Sequence, residues 1–234
     1  MTTISAEDLT IAYEQRTIID KLSFYIPEGK ITTIIGANGC GKSSLLKALT
    51  RLLPPKQGVV YLNGQNIATL ETKEVAKKLA LLPQVQEATN GITVYELVSY
   101  GRFPHQSYFG NLSPADKKAI HWAIQATNVM AYADQPVDAL SGGQRQRVWL
   151  AMALAQGTDT IFLDEPTTYL DLNHQLEILE LVKSLNKDAG KIHYTGTIAD
   201  VMTSPIIQDI FQIKPVLVDD PIHNCPIVLT YQLQ

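Results

Sequence analysis

The loop GANGCGKSS, residues 36–44, sets three glycines, a lysine and two serines at a spacing that suits phosphate chemistry. Gly36, Gly39 and Gly41 permit positive φ, so successive backbone N–H groups can ring an anion at the positive end of the helix that follows. Ala37, Asn38, Cys40 and Ser44 complete that ring. Lys42 can reach the β and γ phosphates of a triphosphate, and the Ser43 hydroxyl can ligate Mg²⁺. A glycine-rich turn with no ligand is the plain alternative. The flanks favour the cradle: ITTII at 31–35 is an apolar run of strand type and SLLKALTRLL at 44–53 is amphipathic, giving strand, loop and helix in order.

Three further groups could serve the same chemistry. Asp164 and Glu165 close the short apolar run TIFL at 160–163. A carboxylate at such a strand tip can hold Mg²⁺ through water and a second can polarise an attacking water, although Asp-Glu before a proline is also an ordinary loop start. LSGGQ at 140–144 opens a helix through QRQRVWLAMALAQ, so Ser141, Gly142, Gly143 and Gln144 offer a second anion site at a helix N-terminus. Tyr13 ends the first β-type run, where an exposed aromatic could stack on an adenine or be simply a strand tyrosine.

The elements that must position these groups follow from pattern. Residues 4–35 alternate apolar and polar in β-type runs with a turn at 27–29, and GVVYLNGQNI at 58–67 reads as a strand with an Asn63-Gly64 hairpin signal. From 83 to 156 the texture is helical. Thr93 to Glu96 is a capping box opening TVYELVSYGR, and Ser113-Pro114 caps a helix expected to run through about Val129. Residues 173–187 form an amphipathic helix, 204–211 a further one, and 215–219 and 226–232 are β-type runs. The 234 residues, 45% hydrophobic and 18% charged with net charge −4 and no basic block, suit a globular domain and argue against nucleic acid as a partner. No signal peptide or membrane-length apolar run is evident, and two cysteines, Cys40 and Cys225, make no disulfide framework.

With LSGGQ beside the glycine loop, the sequence resembles the ATP-binding-cassette (ABC) ATPase family over nearly its whole length. The resemblance implies an α/β P-loop NTPase cassette: a RecA-like mixed-sheet core, an antiparallel β subdomain and a helical subdomain. On that pattern 1–83 and 157–214 are the nucleotide-binding core with the β subdomain, 84–156 the helical signature subdomain, and 215–234 a C-terminal β-type tail. It implies ATP and Mg²⁺ as ligands and a head-to-tail homodimer in which the glycine loop of one copy and the LSGGQ of the other close on one ATP. Tyr13 then resembles the adenine-stacking aromatic, Gln84 the glutamine that senses Mg²⁺ and attacking water, Asp164 the Mg²⁺-side aspartate and Glu165 the general base. Asp171, in the segment Thr168-Tyr-Leu-Asp, resembles the dimer-contact residue, with Tyr169 where a small residue is common.

LVSYGRFPH at 97–105, LSGGQRQRVWLAMALAQ and FLDEPTTYLDLNHQLEILELV are more narrowly similar to the ATPase subunits of bacterial iron–siderophore importers, hydroxamate types above all. That similarity implies transmembrane permease partners, an indirect link to a substrate-binding protein, and a peripheral place on the cytoplasmic face of the cell membrane. A non-transport ABC ATPase is the alternative. One departure stands out: between Gly190 and Lys191 a strand–helix unit of roughly 30 residues, carrying the family's switch histidine, has no counterpart. None of His105, His121, His174, His193 or His223 replaces it, so a hydrolysis-defective cassette is a further alternative.

Overall fold

The two β-type runs at the start of the chain form an antiparallel hairpin, β1 (Ile4–Tyr13) and β2 (Arg16–Ile26), closed at Glu14, whose φ is 52°. In this computed structural model, residues 2–26, 28–29, 32, 34, 39–84, 90–106 and 110–166 are described, with the backbone of 213–220 and 225–233. The alternation expected of β1 breaks at Asp8, φ 48°, where the register shifts between Ala6 and Leu9. That bulge turns Leu9, Thr10 and Ile11 all into the interior.

Helix α1 (Lys42–Leu49) lays Leu45, Leu46, Ala48 and Leu49 into the apolar core that β1 lines with Ile4, Ala6, Leu9 and Ile11. β3 (Gln57–Leu62) pairs with the other edge of β1 and returns through Asn63 and Gly64, φ 52° and 74°, into β4 (Gln65–Asn66). Both turn residues lie in the left-handed region that a two-residue hairpin demands. The resulting sheet has the order β2-β1-β3-β4 and is the expected antiparallel subdomain.

Beyond the short α2 (Thr72–Ala76), β5 (Leu79–Leu82) begins a second sheet. The helical lobe follows: α3 (Val94–Tyr100), α4 (Pro114–Ala126) and α5 (Gly142–Ala155), packed around Val94, Leu97, Val98, Ile120, Ile124 and Leu150. Each opens with a reciprocal capping box, Thr93 with Glu96, Ser113 with Asp116 and Ser141 with Gln144. Helix α4 ends three residues before the expected Val129. The Thr127 hydroxyl donates to the Ala123 carbonyl at 3.0 Å, Asn128 turns left-handed, and the Val129 amide reaches back to the Ile124 carbonyl at 3.1 Å.

β6 (Thr160–Leu163) then pairs in parallel with β5, Leu79 facing Thr160 and Leu82 facing Leu163. Among the described residues β5 is the one strand partner of β6. In the tail, β7 (Ile213–Asp220) and β8 (Cys225–Leu233) form an antiparallel pair that contains both expected runs. The helices expected at 173–187 and 204–211, and the Gly190/Lys191 junction, lie outside the described residues. No helix among the described residues is long and apolar enough to cross a membrane.

Candidate functional site

Because β5 and β6 run parallel and in register, their C-terminal ends stand level, and the chain leaves both strands at one edge. The Asp164 amide extends the ladder by one bond, donating to the Leu82 carbonyl at 3.0 Å, so the carboxylates that follow β6 and the glutamine that follows β5 start from a shared base. Gln84 donates its amide to Oε2 of Glu165. Glu165 sits at φ 48°, a left-handed conformation that costs a non-glycine residue free energy, so its carboxylate is held where relaxed backbone would not carry it.

The first turn of α1 meets the same edge. Gly41 is its N-cap with φ 103°, and a Cβ there would stand 2.6 Å from Cγ2 of Ile18 on β2, so neither the conformation nor the space admits a side chain. Gly39, at φ 79°, has nothing within 4 Å of where its Cβ would be. Lys42 and Ser43 are the first two residues of α1, both half-buried. The Ser43 hydroxyl donates to Oδ1 of Asp164 at 3.0 Å, and Asp164 is buried. At the rim, the Ser44 hydroxyl donates to the Tyr13 hydroxyl at 3.2 Å, and Tyr13 is 45% exposed.

Ser43, Asp164, Gln84 and Glu165 are thus brought into one place. Gly36, Ala37, Asn38 and Asp171 lie outside the described residues. The LSGGQ residues turn elsewhere: Ser141 and Gly142 are exposed, and Ser141 and Gln144 cap each other, the Ser141 amide donating to Gln144 at 2.9 Å and the Gln144 amide to the Ser141 hydroxyl at 3.3 Å. Cys40 is a free, exposed thiol.

Besides the Ser44–Tyr13 bond, two further contacts escaped sequence reasoning. Gln146, in the second turn of α5, donates to the carbonyl of Pro166 at 2.9 Å and so ties the LSGGQ helix to the turn that carries Glu165. Nothing in the spacing of the two segments announces this. Second, buried Arg102 donates to Asp116 at 2.8 Å and to the Ala155 carbonyl at 2.7 Å, joining α3, α4 and the end of α5. His105 and Gln156 continue the brace, His105 bonding the Gln156 carbonyl at 2.8 Å and Gln156 donating to the Leu79 carbonyl at 2.9 Å. Burial alone pushes the Asp116 carboxyl up, but the hydrogen bonds from Ser113 and Arg102 outweigh it and hold its pKa at about 2. The Ser113 cap was legible as a cap; the arginine that completes it carries no sequence signal.

A family model described as ABC transporter matches residues 19–168. The chain is 50% identical to the iron(3+)-hydroxamate import ATP-binding protein FhuC of Bacillus subtilis (strain 168), over 259 aligned positions that cover 100% of this chain and 96% of that protein. It is 39% identical to the petrobactin import ATP-binding protein YclP of the same organism over 188 positions, 80% of this chain and 74% of that protein. Among solved structures, the dimer of an ATP-binding cassette in a post-hydrolysis state with ADP and Pi matches with TM-score 0.67 and 28% identity, covering 82% of this chain and 86% of that one. The first alignment needs 259 positions for 234 residues, so about 25 positions have no residue of this chain opposite them. The second needs 188 positions for 80% of the chain and shows no such excess, which puts the shortfall outside the stretch it covers.

Proposed function

The chain belongs to the ABC transporter family, and from that premise we propose that it is the ATP-binding and ATP-hydrolysing subunit of an importer that energises uptake of iron–siderophore complexes. The observation that supports the ATP-hydrolysing part most directly is the bonded set at the level ends of β5 and β6, Ser43 on Asp164 and Gln84 on Glu165, while the uptake part rests on the similarity to FhuC and YclP. A hydroxyl, a buried carboxylate and an amide oxygen are the hard oxygen donors that suit Mg²⁺, and Ser43, Asp164 and Gln84 would hold it. When bound, the ion supplies positive charge to the outer phosphates of ATP.

In this reading the protein's own groups divide the work. Lys42 and the backbone of the loop at 36–44 cradle the phosphates, and Tyr13 offers its half-exposed ring to the adenine. Glu165, placed by its backbone and by Gln84, orients a water toward the γ-phosphate and accepts its proton. Ser141, Gly142, Gly143 and Gln144, with Asp171, close on the nucleotide of a second copy arranged head to tail, as the exposure of Ser141 and Gly142 permits. Permease subunits take up the resulting motion at the helical lobe near Gln84, with the subunit peripheral on the cytoplasmic face of the membrane.

The test is growth of a strain lacking this protein on a ferric hydroxamate as sole iron source. The wild-type gene restores growth, whereas Glu165→Gln, whose product still binds ATP, does not. Equal rescue by both would overturn the assignment.

A further inference from the structure

We propose that Ser44 is a positioning residue for the nucleotide base, its hydroxyl holding the Tyr13 ring at the rim of the glycine loop before any ligand arrives. The inference rests on the ATP reading of the site. Tyr13 is the last residue of β1 and nearly half its surface is open to solvent, so packing alone does not fix its ring. What it does have is a bond: Ser44 Oγ donates to the Tyr13 hydroxyl at 3.2 Å, across 31 residues of chain.

The same hairpin touches the loop a second time. Ile18 and Ile19 of β2 crowd Gly41 so closely that a Cβ would lie 2.6 and 3.3 Å from their side chains. Tyr13 pairs with Arg16 and Ala12 with Thr17, so these two contacts belong to one short, hydrogen-bonded hairpin end. Anchored at Gly41 and at Ser44, the ring has a fixed place relative to the first turn of α1. A stacking group ordered in advance spares the ligand the cost of ordering it on binding. Because every base presents a π-face, the gain does not depend on which base is bound.

The experiment is equilibrium binding of MgATP, MgGTP and inorganic tripolyphosphate to the full chain and to its Tyr13→Phe, Ser44→Ala and double variants. Tyr13→Phe keeps the ring and loses the bond; it is expected to bind MgATP and MgGTP about 3- to 10-fold more weakly, the range of one hydrogen bond. Tripolyphosphate, which has nothing to stack, is bound as by wild type, and in a Ser44→Ala background, where the bond is already gone, Tyr13→Phe weakens MgATP binding no further. MgATP affinity unchanged in Tyr13→Phe overturns the inference. So does an equal loss for MgATP and tripolyphosphate, which would make the bond a prop for the loop and not for the ring. Wild-type protein that binds neither ligand removes the ATP reading itself and this inference with it.

Discussion

The hydroxyl of Ser43 and the carboxylate of Asp164 stand 3.0 Å apart although 121 residues of chain separate them. One sits in the first turn of α1 and the other closes β6, so the pair joins the glycine loop to the strand that leads into Asp164 and Glu165. An amide oxygen can still accept the Ser43 proton, but it brings no charge. Asp164→Asn is therefore expected to preserve the fold and to lower MgATP turnover by at least about 100-fold. ATP affinity measured without metal is expected to change little. Phosphate release and calorimetric titration with and without Mg²⁺ check this, and undiminished turnover would contradict the role given to Asp164.

Exposure of the LSGGQ turn leads to a complementation test. If each ATP lies between the loop of one copy and the LSGGQ of another, Lys42→Ala and Ser141→Arg each destroy both sites of their own homodimer. Mixed pairs rebuild one intact site. An equimolar mixture is expected to recover up to about a quarter of wild-type turnover, because random pairing makes half the dimers mixed and each has one good site of two. No recovery, with dimers demonstrated, would exclude the shared arrangement.

Arg102 and Asp116 set a stability prediction. Removing the guanidinium leaves a buried carboxylate with only its Ser113 bonds, so Arg102→Ala is expected to cost about 3 kcal/mol in urea unfolding. The folded pKa of Asp116, about 2, lies below its ordinary 3.8, so the charged form is favoured in the native state. The stability it contributes is complete above its ordinary value and drains away as pH falls from there toward 2. Unfolding free energy measured from pH 5 to pH 2.5 is accordingly expected to fall less steeply in Asp116→Asn than in wild type.

The shortfall of about 25 positions against FhuC is close to the size of one strand–helix unit, and losing such a unit from a parallel sheet would leave a neighbouring strand with an open edge. A parallel strand with an unpaired edge leaves backbone groups without partners. We expect that inserting the corresponding segment of about 25 residues from FhuC between Gly190 and Lys191 raises the unfolding midpoint by several degrees and ATP turnover by at least about 10-fold. Equal stability and turnover with and without the insert would show that this chain closes its sheet by other means.

Elements declared by local chemistry were legible in the sequence. The caps at Thr93 and Ser113, the helix opening at LSGGQ, the Asn63-Gly64 turn and the strand at 160–163 all stand where their residue types put them. The sequence also named Ser43, Gln84, Asp164 and Glu165 as candidates, and the structure brings these four together at the ends of β5 and β6. What could not be read was encoded by distance. The Gln146 bond to Pro166, the Arg102 brace and the Ser44 bond to Tyr13 join residues whose separation in the chain carries no period and no motif. The bulge at Asp8 was hidden for another reason, since a register shift is settled by both neighbouring strands and alternation along one strand cannot show it.

The bond from Gln146 to Pro166 gives the molecule a lever. In the proposed dimer one end of α5 would offer its hydroxyl and amides to a neighbour, and a turn further along the same rod is hitched to the peptide next to Glu165, the proposed water-activating glutamate. A neighbour that pulls on the rod's tip also tugs the glutamate of the subunit it is gripping. Two active centres in a pair would then feel each other's occupancy through a single side-chain amide, and cutting that tether should leave each firing out of step with its twin.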